Sequence, residues 1–152
     1  VTRRIELVPP SPELIAAIAP WFAAALADIS GASPAGAPPP PTEWFAATNE
    51  QRRVIIVDGA ATGMLAYRCE DDLLLLTALA VAAPARNRGI GAEAVRMLEE
   101  RTAAPRARAI FPLENGFAFY FWLRVGYRPL FAADHGYRGF NAVERVIVRS
   151  AR

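Results

Sequence analysis

The sequence predicts a single α/β (α+β) domain over residues 1–152, with about four helices and a mixed sheet of about seven strands. Three observations carry that expectation. The chain has 152 residues, one domain's worth, enough to bury roughly 68–70% of its unfolded surface without a staple. Segments of strand and helix periodicity follow one another in the order βααββ-β-α-β-α-ββ, with no internal repeat. The run DDLLLLTALAV, residues 71–81, is apolar almost throughout, as a central strand covered on both faces must be.

Each element has its own signal. RRIELV, 3–8, reads as a first strand. A helix follows, with Ser11 as cap, Pro12 at its first position and Glu13 in its first turn. Leu14, Ile18, Trp21, Phe22, Leu26 and Ile29 give it helical period, and Pro20 predicts a kink. GASPAGAPPPP, 31–41, is too rich in Pro and Gly for anything but a loop. Thr42 and Glu43 open a second helix running to about Asn49. RRVIIVD, 52–58, and GMLAYRCE, 63–70, read as a hairpin around a glycine turn. Beyond the apolar strand, 89–102 is an amphipathic helix with Ile90, Ala94, Met97 and Leu98 on one side, and Pro105 follows it. ARAIFPL, 107–113, is a strand. The aromatic stretch NGFAFYFWLRVGY, 115–127, is a helix capped by Asn115 and stopped at Gly126, with Pro129 beyond. Two strands close the chain.

Composition bounds the function. Net charge is +2, and all 17 basic residues are scattered arginines. A nucleic-acid footprint would be clustered, so no nucleic-acid partner is expected. The apolar runs 14–27 and 73–85 are interrupted by Pro20 and Thr77, short of the ~20 residues of a membrane span. No basic-then-apolar leader follows Val1, so the expected location is cytoplasmic. Cys69 is the sole cysteine, which excludes an internal disulfide. With no neighbouring cysteine or histidine it forms no metal site, and it reads as a small buried hydrophobe.

The chemistry points to APARNRGIGAEA, 83–94. Gly89 and Gly91 stand where a helix begins. Glycines there let backbone approach a ligand closely. A helix N-terminus offers unpaired N–H groups and the positive end of a dipole, which suit phosphate. Arg86 and Arg88 can add charge-assisted bonds. Read as Gly89-x-Gly91-x-x-Ala94, the turn also fits a dinucleotide fingerprint, with Glu114 twenty residues past Ala94. Context argues against it. AAPARNR separates the turn from its strand, and only 38 residues follow Glu114, too few for the remaining strand–helix units.

Arg86-x-x-Gly89-x-Gly91 resembles the acyl-CoA-binding motif of the GNAT N-acetyltransferase superfamily, Arg/Gln-x-x-Gly-x-Gly/Ala. LAV, 79–81, resembles the end of that family's fourth strand. TGMLAY, 62–67, resembles the start of its third strand. Asn115-x-x-Ala118 with Gly126-Tyr127 resembles its helix after the fifth strand. Pro84 stands one place later than the family's usual proline. The element order is similar over nearly the whole chain, least across 28–50 and 131–152.

The resemblance implies a mostly antiparallel sheet whose fourth and fifth strands splay apart around a pantetheine arm. It implies acetyl-CoA as cosubstrate. Leu79, Ala80 and Val81 would meet the pantetheine through backbone. Asn87, Arg88, Gly89, Ile90, Gly91 and Ala92 would hold the pyrophosphate with Arg86, and Asn115 would reach the pantetheine. The implied reaction is direct attack of a primary amine, on a small molecule or peptide, upon the thioester. A homodimer is compatible with it. The acceptor would lie near Trp44, Phe45, the Pro-rich loop and Asp134 to Tyr137.

An alkylamine of pKa ~10.4 is about 0.04% neutral at pH 7, a penalty of roughly 4–5 kcal/mol, so proton removal matters. Relatives place a glutamate on the fourth strand. Here Asp71 and Asp72 stand only at its entrance, and Glu43, Glu70, Asp134 and His135 are the other candidates; none has the family's position. The family's tyrosine acid falls on Trp122, whose indole N–H is too weak an acid to serve. Trp122 is expected to line the thioester end of the channel. Tyr120 lies ~200° around the helix from it and reads as a core or interface residue. Activity without that acid remains open to an enzyme, since a thiol of pKa ~8.5 is a fair leaving group and acid help is worth roughly 10²–10⁴-fold. The other reading is a degenerate member that binds acyl-CoA without turnover.

Overall fold

The computed structural model describes residues 2–30, 38–131 and 135–148. Strand β1 is Ile5–Val8, followed by helix α1, Pro12–Ser30, and helix α2, Pro41–Phe45. Strands β2 (Gln51–Val57), β3 (Ala60–Glu70) and β4 (Leu73–Val81) come next, then helix α3 (Ile90–Arg101), strand β5 (Arg106–Pro112) and helix α4 (Gly116–Arg124). Strands β6 (Arg128–Leu130) and β7 (Phe140–Val146) end the fold. The element order is the one the periodicities predict.

Local chemistry explains most boundaries. The Ser11 hydroxyl accepts from the Leu14 N–H at 3.2 Å, capping α1. Pro20 lies inside α1, which continues through it. Asp58 and Gly59 both have positive φ, 49° and 85°, the backbone of a two-residue I′ hairpin turn. Asp71, φ 52°, and Asp72 form the next hairpin. Helix α2 stops at Phe45 rather than Asn49. Arg52 donates to the Trp44 carbonyl, which a further helical turn would have used for its own N–H.

The seven-stranded sheet has the order β1-β2-β3-β4-β5-β7-β6. Every neighbouring pair is antiparallel except β4 with β5. That parallel pairing covers only Leu73↔Arg106 through Leu76↔Ala109. Beyond it the two strands part, while β5 stays paired with β7 from Arg106 to Pro112. Between Ala66↔Ala78 and Tyr67↔Leu76 the β3–β4 register shifts. Thr77 is therefore a bulge residue, and it is the first residue past the last β4–β5 pair. The bulge reverses the strand's alternation. Leu74 and Leu76 face α3 and α4 before it, and Leu79 and Val81 do so after it. Ala78 and Ala80 face α1 and α2.

Two cores result. Ile90, Ala94 and Leu98 of α3 pack with Trp122, Tyr127 and Phe111 on one face. Ile18, Phe22 and Leu26 of α1 pack with Trp44, Phe45 and Met64 on the other. Residues Pro12–Ile29 are long and apolar enough to cross a bilayer by length and composition, contrary to the reading of a broken run; in the fold this helix lays one face on the sheet. Cys69 is exposed rather than buried, because it stands near the end of β3, where α3 has just stopped and the hydroxyl of its C-cap, Thr102, lies 3.7 Å from the sulfur. Gly63 is a close approach, since a Cβ there would stand 2.7 Å from the Ala80 carbonyl oxygen. Gly63→Ala should therefore lose about 1–3 kcal/mol, as overpacking does. Urea unfolding checks this; unchanged stability would mean the β3–β4 spacing relaxes freely.

Candidate functional site

The parting of β4 from β5 creates an edge inside the sheet. Ala82 N–H bonds the Thr62 carbonyl at 2.8 Å, which sets the phase of the antiparallel ladder. By that phase the peptide groups of Ala78 and Ala80 turn to β3, and those of Leu79 and Val81 turn to the side β5 has left. Of the three β4 residues expected at a pantetheine arm, Leu79 and Val81 present backbone there and Ala80 does not.

At the end of β4 the chain makes a short 3₁₀ turn, Ala83–Ala85, and enters α3 through two left-handed residues, Asn87 (φ 64°) and Gly89 (φ 76°). Gly89 is the N-cap and supplies no side-chain acceptor. The first N–H groups of α3, at Ile90, Gly91 and Ala92, thus lack the usual side-chain cap. The Ile90 side chain is buried in the core. A Cβ on Gly91 would meet the Phe121 ring at 3.3 Å, so this glycine lets α3 and α4 approach. Arg88 is exposed. Arg3, distant in sequence, also reaches the turn: its guanidinium lies 3.1 Å from where a Gly89 Cβ would stand, and it pairs with Glu93.

Asp28, near the end of α1, touches both sides of the opening. Arg86 Nη2 donates to its carboxylate at 2.7 Å, and Arg86 Nε donates to the Val81 carbonyl at 2.9 Å. Asn115 donates through Nδ2 to the Asp28 carbonyl at 3.1 Å. Its Oδ1 accepts from the Ala118 N–H at 3.0 Å, capping α4. The predicted cap is there, and Arg86 and Asn115 are joined through α1.

Helix α4 turns Trp122 inward and Tyr120 outward, as a ~200° separation requires. Trp122 is 4% exposed, 5.1 Å from the Phe121 ring and 4.8 Å from the Tyr127 ring by centroids. Tyr120 is 65% exposed. It is neither core nor aimed at the parted strands; Arg124 lies over its ring. Tyr127, behind Trp122, is fully buried and donates its hydroxyl proton to Glu99 at 2.6 Å.

The predicted bases do not gather at the opening. Asp71 and Asp72 lie in the turn before β4, about 17–20 Å of strand from Thr77. Asp72 faces Arg106 at 3.3 Å and Glu70 pairs with Arg68. Glu43 is exposed on α2. His135 Nδ1 accepts from the Tyr137 N–H at 2.9 Å, holding it in its own turn. Asp134 and residues 31–37 of the Pro-rich loop lie outside the described residues.

Another carboxylate does lie at the opening. Glu50, just before β2, accepts the Thr77 hydroxyl through Oε2. Its Oε1 takes two bonds from Arg52, 3.1 Å from Nε and 2.8 Å from Nη2. Its side chain is 8% exposed. Arg52 in turn lies 4.2 Å over the Trp44 ring. The sequence signal was available: Thr77 is the one polar residue within the β4 run, and Glu50 and Arg52 share a strand face by their spacing. Among the described residues no cluster of His, Cys, Asp and Glu could hold a metal.

A central parallel pair that parts, beside a glycine-entered helix, is the build of an acyltransferase fold. The sequence agrees: residues 17–127 match the model of the acetyltransferase (GNAT) family, and the chain belongs to that family. Among solved structures, an acetyltransferase from Thermus thermophilus superposes with TM-score 0.74 at 15% identity, covering 94% of this chain and 97% of that one. The PaiA N-acetyltransferase of Thermoplasma acidophilum, solved with coenzyme A, gives 0.64 at 13% identity over 95% and 99%. The microcin C7 self-immunity acetyltransferase MccE, solved with acetyl-CoA and AMP, gives 0.69 at 15% over 94% and 92%. No curated protein matches the sequence.

Proposed function

We propose that this protein transfers the acetyl group of acetyl-CoA to a primary amine of a small molecule or peptide. The observation that carries the reading is the backbone of Leu79 and Val81, turned to the side β5 has left beside the uncapped N-terminus of α3, with the Val81 carbonyl held by Arg86. The pantetheine amides would pair with the backbone of Leu79 and the N–H of Val81 as a partner strand would. The pyrophosphate would meet the N–H groups of Asn87 to Ala92, with Arg86 and Arg88 adding charge. Asn115 would border the arm from its α4 side, and Trp122 would line the thioester end. Two structures of the same fold solved with coenzyme A or acetyl-CoA support the choice of cosubstrate.

Thermal shift tests it. Acetyl-CoA and CoA should raise Tm and NAD should not. Arg86→Ala should weaken acetyl-CoA binding about tenfold to a hundredfold, the worth of a charge-assisted bond. No shift with either CoA species would overturn the reading. A second reading is favoured by one observation: α4 presents an indole at Trp122 where a proton-donating hydroxyl serves the family. A chain that binds acetyl-CoA yet releases no thiol with any amine would be an acyl-CoA-binding member without turnover.

A further inference from the structure

We propose that the acceptor amine gives up its proton to the Thr77 hydroxyl, which passes its own proton to Glu50. The inference rests on the acetyl-transfer reading, and it assigns the base that the sequence does not. Its ground is a juxtaposition of β2 and β4. Thr77 is the bulge residue of β4 and the first beyond the last β4–β5 pair, so it stands at the apex where the strands begin to part. Its hydroxyl donates to Glu50 Oε2. Glu50 comes from the α1–α2 side, where Trp44 and Phe45 pack. The relay thus meets the apex from the face opposite α3 and α4.

The carboxylate is held from several directions. Arg52 binds Oε1 by two nitrogens, at 3.1 and 2.8 Å. Arg52 is itself fixed by the Trp44 carbonyl and the Trp44 ring. Oε1 is therefore occupied, and Oε2 is the oxygen left to receive a proton. Thr77 has spent its single O–H on Glu50, so its oxygen offers only lone pairs to a newcomer. That is an acceptor for an amine N–H and a poor site for a carbonyl oxygen. Of the other carboxylates considered, Glu70, Asp71 and Asp72 lie at the far end of β4 and Glu43 is exposed on α2, while Asp28, which also borders the opening, has its carboxylate on Arg86 at 2.7 Å.

The proton inventory closes. One N–H bond of the ammonium breaks and an O–H bond forms at Thr77. The Thr77 O–H breaks and an O–H forms at Glu50. The nitrogen keeps the electron pair and attacks the thioester carbonyl. The C–N bond forms, the C–S bond breaks, and the second proton, shed by the now cationic nitrogen, passes to the departing thiolate, so that CoA leaves as the thiol and the amide is neutral. Glu50 then returns its proton to solvent by the same hydroxyl. Arg52 and Trp44 only hold Glu50 in place.

The test uses Glu50→Gln, Thr77→Val and Thr77→Ser in the full chain, with acetyl-CoA and a panel of primary alkylamines. CoA release is followed from pH 6 to 10, and acetyl-CoA binding is measured by calorimetry. Glu50→Gln and Thr77→Val should lower kcat at pH 7 by about 10²–10⁴-fold, the worth of a general base, while acetyl-CoA affinity stays as in the wild type. Thr77→Ser should restore the rate. The deficit should shrink as pH rises toward ~10, where the amine arrives neutral without help. A Glu50→Gln enzyme as fast as wild type at pH 7 overturns the relay. So does a deficit that is equal at every pH, which marks a structural role only. Wild-type protein that binds acetyl-CoA but releases no CoA with any amine overturns acetyl transfer, and the relay with it; loss confined to the variants bears on the relay alone.

Discussion

Replacing Trp122 with alanine should cost about 3–5 kcal/mol of stability, the range for deleting a buried aromatic side chain. The indole is 4% exposed and sits among the α3, α4 and β5 side chains of one core. It touches Phe121 at an interplanar angle of 72° and Tyr127 at 60°, the edge and tilted contacts that aromatic rings prefer. Truncation removes the ring and both contacts and leaves a cavity between a helix and the sheet. Urea unfolding with an unchanged m-value measures this directly. Trp122→Phe keeps most of the volume and should lose much less. A loss below about 1 kcal/mol for the alanine variant would show a site that collapses freely, and with it a core less well packed than the one described.

The second large effect lies one layer deeper. Tyr127→Phe should cost about 1.5–3 kcal/mol, because it strips a hydrogen bond from a buried charged acceptor. Tyr127 is 0% exposed and Glu99 is 4% exposed. Their bond is 2.6 Å, and Arg145 stands 3.4 Å from the other Glu99 oxygen. Burial, then the bond to Glu99 and its charge, push the Tyr127 hydroxyl well above its ordinary pKa of 10.0, with Arg145 opposing. The sign follows. The folded state holds this proton more tightly than the unfolded chain, so its contribution is complete below pH 10.0 and is lost as pH rises above that value. Wild-type Tm should therefore fall above pH 10.0, and Tyr127→Phe should show a shallower alkaline limb from a lower plateau. Parallel limbs in the two proteins would mean that Tyr127 does not govern alkaline stability.

Much of this could be read from the residues. The run of four leucines that opens β4 announces a doubly covered strand, and Asn115 and Gly126 frame α4 closely enough to turn Trp122 inward and Tyr120 outward. The glycine turn lies where the motif places it. What escaped depends on partners distant in sequence. A bulge is one extra residue and alters no composition, so only the isolated Thr77 hinted at it. Glu50 acquires meaning when β2 comes beside β4, and neither local pattern contains that meeting. The end of α2 was misplaced because Arg52 competes for the Trp44 carbonyl, a tertiary bond that helix propensity ignores. Cys69 is exposed because its place near the end of an 11-residue strand, beside Thr102 at the end of α3, decides its burial rather than its residue type.

The parting of β4 and β5 also bears on association. Edge strands invite stray strands, and proteins guard them by keeping them short, twisted or interrupted by proline. The outer edges here obey: β1 has four residues, and β6 has three, including Pro129. The inner edge of β4 follows the same rule by another route. It is kept short by a bulge at one end and a helix at the other, and Asp28 ties Arg86 and Asn115 across it. A sheet so arranged discourages broad strands at β1, at β6 and along the inner edge of β4, yet it leaves Leu79 and the Val81 N–H able to pair with a slender chain that brings amides of its own.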